Sequence, residues 1–247
     1  MPAKLLISVR SLREAQAARD GGAEIIDVKE PAKGSLGRAH PEVMAQIVKF
    51  VRSTSPSTIV SAALGEVSEY TAAPAVAPAE IPHLDLLKSG LSALQSDDVP
   101  WQDAWSRFRE SVVTNCQDVR WVAAAYADHE RSRSPGVLDV LEEGHRIGCP
   151  VLLIDTFQKD VTSLLDWVPM PMLEQIRDRT REYGMQLALA GRITTTLLPK
   201  VLAVDPDIIA VRGAVCAHGR RTATVSTERV VQLMTILRQA AGIAAAQ

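Results

Sequence analysis

Ile25-Ile26-Asp27-Val28-Lys29-Glu30-Pro31-Ala32-Lys33-Gly34-Ser35-Leu36-Gly37 runs an apolar strand straight into a lysine and then into a glycine-containing loop. An amine at the end of a buried strand is costly to desolvate, so a fold that keeps one there uses its charge or its nucleophilicity. Asp27 and Lys29 stand two residues apart. Strand side chains alternate between faces, so this spacing predicts that acid and amine enter the same pocket.

Working outward, the run is one of eight short apolar segments bounded by turn residues: Leu5 to Val9, Ile25 to Lys29, Thr58 to Ala62, Leu84 to Lys88, Arg120 to Ala125, Val151 to Asp155, Gln186 to Ala190 and Ile208 to Val211. Most are separated by amphipathic stretches of helical period, which predicts a parallel sheet with crossover helices. Ser11 to Arg19 reads as a helix closed by Gly21-Gly22, and Glu42 to Arg52 as one opened by Pro41. Glu66 to Pro82, with three prolines, predicts a short or irregular helix, and Trp167-Val168-Pro169-Met170-Pro171 predicts a break in the helical layer. Eight such units in 247 residues close into one (β/α)8 TIM barrel domain over residues 1–247. The competing doubly wound open sheet needs a G-x-G-x-x-G turn after the first strand, where the chain has Arg10-Ser11-Leu12-Arg13.

Hydrophobic residues make up 47% and charged residues 23%, enough for a core, and the formal net charge is −2. That balance gives no pull towards nucleic acid or an anionic membrane surface. Cys116, Cys149 and Cys216 are scattered, without metal-ligand spacing, and a reducing cytoplasmic setting is expected. No apolar run approaches the ~20 residues of a membrane span, so no membrane association is expected. The five histidines lack H-x-H or H-E-x-x-H spacing, so no metal is expected, and the absence of a Walker or G-x-S-x-G loop removes the commonest NTPase and hydrolase readings. A homo-oligomer is the expectation for a barrel of this size.

Barrel chemistry sits at the C-terminal ends of the strands. There the chain places Asp27 and Lys29, Lys88, Tyr126, and Asp155 with Lys159 four residues beyond. Lysines crowded together and partly buried lose affinity for their protons, which suits amine attack on a carbonyl, and Asp27 and Asp155 are the natural bases to move the protons as an enamine forms. Taken singly, each has a plainer reading: Asp27 and Lys29 as a rim ion pair, Lys88 and Lys159 as solvated charges, Asp155 as a helix cap. The loops after the last two strands carry Gly191 and Gly213 with Arg212, a pattern suited to phosphate, and Arg192 or Arg220 are further candidates.

The same blocks carry a resemblance. Asp27-Val28-Lys29-Glu30-Pro31 with Gly34-Ser35-Leu36-Gly37, Lys88-Ser89-Gly90-Leu91, Tyr126-Ala127-Asp128, Asp155-Thr156 with Lys159-Asp160, Leu189-Ala190-Gly191 and Val211-Arg212-Gly213-Ala214-Val215-Cys216 resemble, in order, the (5-formylfuran-3-yl)methyl phosphate synthases of methanofuran biosynthesis. The resemblance implies a cofactor-free barrel lyase that joins two molecules of glyceraldehyde 3-phosphate into a phosphorylated furan aldehyde. It implies a Schiff base on Lys29, with Asp155 and Lys159 as acid–base partners and Asp27 and Lys88 in the pocket. Glu30, Val161 and Arg192 depart from the family pattern, where asparagine, glycine and serine are expected. Other functions compatible with the residues are a different phosphosugar aldolase or isomerase, and a non-catalytic phosphometabolite-binding protein.

Overall fold

The computed structural model describes residues 2–70, 83–95, 99–113 and 119–244. Strands β1 (Lys4–Val9), β2 (Ile25–Val28), β3 (Ile59–Glu66), β4 (Leu86–Gly90), β5 (Arg120–Tyr126), β6 (Val151–Asp155), β7 (Gln186–Leu189) and β8 (Ile208–Val211) pair in parallel, each with the next, and β8 returns to β1. The sheet is therefore a closed (β/α)8 barrel, as the repeat of apolar runs predicts.

Helices α1 (Leu12–Asp20), α2 (Pro41–Thr54), α3 (Trp101–Val113), α4 (His129–Ser132), α5 (Val137–Arg146), α6 (Leu164–Trp167), α7 (Met170–Glu182) and α8 (Leu198–Leu202) lie between strands, and α9 (Thr227–Ala244) follows β8. Their sequences explain their ends and faces. Ser11 caps α1 by accepting from Glu14 N at 3.3 Å. In α2 the buried residues Met44, Ile47, Val48 and Val51 fall at i, i+3, i+4 and i+7, one stripe turned to the sheet. The layer breaks after Trp167 as expected, between α6 and α7. Over Glu66 to Pro82 the expectation needs correction at its start: Glu66 is the last residue of β3, and a 3-10 turn follows at Val67–Tyr70. Residues 71–82 and Cys116 lie outside the described residues. Cys149 and Cys216 are buried and free. Among the described residues no helix is long and apolar enough to cross a membrane.

Alternation along each strand builds two cores. Leu5, Ile7, Ile26 and Val28 point out to the helices, whereas Leu6, Ile25, Leu86, Val122, Val151, Leu153, Ile208 and Ala210 fill the barrel. Continuing the inward parity upward reaches Ser8 on β1, Asp27 on β2, Ser61 on β3, Lys88 on β4, Tyr126 on β5 and Asp155 on β6. The barrel interior therefore changes from aliphatic to charged near its C-terminal end. Register brings these residues level: Ser8 pairs with Asp27, Asp27 with Ser61, and Tyr126 with Asp155.

Candidate active site

The charged layer forms the floor of a cavity of about 530 Å³, walled by Asp27, Lys29, Lys88, Asp155 and Lys159 and by the loops after β7 and β8. The structure thus gathers all five predicted acid and amine residues at one mouth. Asp27 and Lys29 do share a pocket, but they are not each other's partners. Asp27 Oδ1 accepts a short hydrogen bond from Lys88 Nζ and another from Ser61 Oγ at 2.7 Å, while its Oδ2 accepts from Ser8 Oγ at 3.0 Å. Burial pushes the Asp27 carboxyl upward, but Lys88 and then Lys29 outweigh it and hold the group below its ordinary value. The pair is buried, and Lys88 Nζ also reaches Ser61 Oγ at 3.4 Å.

Asp155 organises the second cluster. Its Oδ1 accepts from Lys159 Nζ at 2.6 Å and from Thr156 N at 2.8 Å, and its Oδ2 accepts from Ser35 Oγ at 3.1 Å. Lys29 Nζ lies 3.9 Å from that same Oδ2. Here too burial pushes the carboxyl up, and Lys159 and Lys29 overcome it, leaving the pKa at about 2. Lys29 responds in the opposite sense. Burial lowers its pKa to about 8 against the pull of Asp155 and Asp27, with Lys159 and Lys88 adding like-charge repulsion. Lys159 is lowered too, by burial first, although Asp155 opposes the shift.

A loop that is itself held delivers Lys159. The buried Asp128, just beyond β5, accepts from Phe157 N at 2.5 Å and Gln158 N at 3.0 Å, and Arg131 binds Asp160 at 2.8 Å. The Ser35 hydroxyl, from the loop after β2, stands between two acceptors, Asp155 Oδ2 and Thr156 O at 2.9 Å, and its one hydrogen serves either, tying the β2 and β6 loops together.

Gly191 takes φ +93, a backbone angle that favours glycine, and a Cβ there would press on Thr156 Cγ2 at 3.0 Å. Gly213 opens a 3-10 turn, Gly213–Val215, on the same wall. Arg212 lines the cavity, but the expectation that its side chain meets phosphate is corrected by its contacts. Its Nε donates to Arg221 O at 2.5 Å, Nη1 to Ser8 O and Glu14, both at 2.8 Å, and Nη2 to Glu14 at 3.2 Å and Ala223 O at 3.4 Å. All five N–H groups are occupied, so Arg212 holds the β8 loop in place. Of the three departures, Arg192 and Val161 meet, the guanidinium donating to the Val161 carbonyl at the rim. Glu30 turns to Ala32 N at 2.9 Å and lies 3.9 Å from Arg10.

Sequence reading missed Ser8, Ser61, Asp128 and Arg221 as parts of the site. The serines had a signal in their inward parity. Asp128 and Arg221 stand in loops, where only the folded path shows what they reach.

The sequence model of a family described as 4-HFC-P synthase matches residues 5–234 of the chain. The chain belongs to the 4-HFC-P synthase family. Relatives named (5-formylfuran-3-yl)methyl phosphate synthase include one from Methanococcus maripaludis strain C7, 34% identical over 239 residues, covering 95% of this chain and 99% of the relative. Another, from Archaeoglobus fulgidus, is 34% identical over 237 residues, covering 94% and 97%. Among solved structures, thiamine phosphate pyrophosphorylase from Pyrococcus furiosus superposes with a TM-score of 0.59 at 15% identity, covering 96% of each chain. At that identity the likeness is one of fold, and it adds to the 4-HFC-P synthase assignment only the barrel. The family named from the Asp-Val-Lys and Lys-Asp blocks is thus the one to which the chain belongs.

Proposed function

We propose that this chain condenses two molecules of glyceraldehyde 3-phosphate into 4-(hydroxymethyl)-2-furancarboxaldehyde phosphate through a Schiff base on Lys29. The observation that carries the reading is Lys29 itself: a buried amine with a pKa of about 8, standing 3.9 Å from a carboxylate that also binds a second lysine. An amine of ordinary pKa is almost wholly protonated at neutral pH. Lowering it to about 8 leaves roughly a tenth of the molecules with a free lone pair at pH 7.

In this reading Lys29 Nζ adds to a triose carbonyl, and the resulting carbinolamine loses water to give an iminium ion. The iminium acidifies the neighbouring carbon, and Asp155, ionised at neutral pH, takes that proton to form an enamine. The enamine carbon attacks the carbonyl of the second triose, and Lys159, hydrogen-bonded to Asp155, supplies the proton for the new hydroxyl or for a departing oxygen. Two trioses less one phosphate and two waters give the furan aldehyde without net oxidation, so the balance needs no redox partner. Asp27 with Lys88 fixes the field beneath Lys29, and Gly191 and Gly213 let backbone amides approach a phosphoryl group.

Borohydride reduction in the presence of glyceraldehyde 3-phosphate tests the covalent step. The expected result is a triose-derived mass on the peptide containing Lys29, absent from Lys29→Ala, together with near-ultraviolet absorbance of a furan aldehyde during turnover. An adduct that persists in Lys29→Ala would sink the assignment. Turnover without furan absorbance would redirect the function to an open-chain aldolase or isomerase.

A further inference from the structure

We infer that Arg221 is the side-chain contact for a substrate phosphoryl group in this cavity, a part that Arg212 cannot take. The inference deepens the triose-phosphate reading above and rests on it. Arg221 is half-buried on the loop after β8 and lines the same cavity as Lys29, Asp155 and Lys159. Its backbone is fixed, because Arg212 Nε binds its carbonyl at 2.5 Å and Glu14 holds Arg212 in turn. Its guanidinium Nη2 donates to Gly34 O at 3.0 Å, bringing the β8 loop against the β2 loop. An arginine carries five N–H donors in a planar fork, and among the described residues Arg221 gives only that one to a protein acceptor.

Charge points the same way. Four cations, Lys29, Lys88, Lys159 and Arg221, share the wall with Asp27 and Asp155. Asp160 and Arg212 stand outside this balance, paired with Arg131 and Glu14, and Arg192 is exposed at the rim. Among the described residues neither carboxylate hydrogen-bonds or ion-pairs with Arg221. Asp27 is occupied by Lys88, Ser61 and Ser8, and Asp155 by Lys159, Thr156 N and Ser35. Burial lowers the pKa of Arg221 and Asp155 opposes the shift, yet a guanidinium remains charged at any working pH. A fixed, half-buried, planar cation with unused donors matches a phosphate monoester, which carries a charge of about −1.5 to −2 near neutrality. Condensing two triose phosphates brings two such groups into one cavity, and their mutual repulsion requires separate cradles. The glycine loops provide one, and Arg221, reaching towards the β2 loop, provides the other.

Inorganic phosphate is the probe. In calorimetric titration of the whole protein, Arg221→Ala is expected to weaken phosphate binding about ten-fold or more, the scale of losing a charged hydrogen bond, with Arg221→Lys partly restoring it. The glyceraldehyde 3-phosphate concentration that half-saturates borohydride trapping should rise in parallel, while trapping of unphosphorylated glyceraldehyde should stay at the wild-type level. Arg221→Gln retains a donor for Gly34 and serves if the alanine variant does not fold. Phosphate affinity and half-saturation unchanged in both variants would overturn the inference. The two readings fail separately. No adduct in the wild-type protein with phosphate binding still lost in Arg221→Ala defeats the condensation and leaves the anion contact standing, and the reverse pattern defeats only the contact.

Discussion

Two acid–amine clusters, Asp27 with Lys88 and Asp155 with Lys29 and Lys159, use the same chemical groups a few residues from the same barrel mouth. In the first, one carboxylate meets one amine, two serine hydroxyls fill the remaining positions, and both charged side chains are at most 2% exposed. In the second, one carboxylate stands between two amines. Lys159 takes the close position at 2.6 Å, which leaves Lys29 at 3.9 Å, under-compensated and next to the cavity. In the proposed reading this difference separates a fixture, the matched ion pair, from the nucleophile: burial lowers the Lys29 pKa, and a carboxylate shared with Lys159 at closer range offsets that shift less than a dedicated partner would.

The harshest way to break the comparison is to remove the under-compensated amine. Lys29→Ala is expected to lower turnover more than about a thousand-fold, as losing a covalent nucleophile does, while melting close to the wild-type temperature. Steady-state furan formation and a thermal melt together check it. The fixture should behave in the opposite way. Asp27→Asn leaves Lys88 buried without its counter-charge and is expected to cost about 3–5 kcal/mol of stability by chemical denaturation. Asp27→Asn combined with Lys88→Met should recover part of that loss, since no unpaired charge then remains. A stable Asp27→Asn protein with abolished turnover would transfer Asp27 from the fixture to the chemistry.

The sequence reading located both clusters and could not divide them. Strand-end parity was enough to put Asp27, Lys29, Lys88 and Asp155 inside the barrel, because alternation and turn residues fix the inward set. Partner choice is tertiary. Asp27 stands two residues from Lys29 along the chain, yet binds Lys88 from β4 across Ser61 of β3, since closure of the sheet sets those distances. Glu66 was hidden for a local reason. The third apolar run ends at Ala62 in the sequence, but β3 continues through Gly65 at φ +88 with a register shift and brings Glu66 to accept from the Tyr126 hydroxyl at 2.5 Å. Arg212 was misread because an arginine beside a phosphate-type glycine has no sequence mark for the buried Glu14 that captures it.

A smaller effect sharpens how the reactive cluster is held. Asp128→Ala removes the acceptor for two amides in the loop that carries Lys159, and misplacing a proton-transfer group by about 1 Å costs about a hundred-fold in turnover. Asp128→Asn keeps one acceptor oxygen and should lie between wild type and alanine. Borohydride trapping on Lys29 should survive both variants. Lost trapping would place Asp128 upstream of the Schiff base itself.

The smallest expected change is a displacement of one pH limb, and it tests sharing directly. Only the neutral amine attacks a carbonyl, so the rate of imine trapping on Lys29 should rise with pH and level off above about 8. Lys159→Met acts on that limb twice with the same sign. It removes a like charge that disfavours protonated Lys29, and it frees Asp155 Oδ1 from its close competitor, so that the carboxylate acts more fully on Lys29. Both changes favour the ammonium form, so the limb should move to higher pH and trapping at pH 7 should slow although Lys29 is untouched. Asp155→Asn removes the attraction and should move the limb to lower pH. Trapping measured with unphosphorylated glyceraldehyde across the pH range separates this displacement from any change in phosphate binding. If the limb stays in place in Lys159→Met, Lys159 has no part in setting the Lys29 pKa, and the contrast between a matched and a shared carboxylate does not account for the proposed nucleophile.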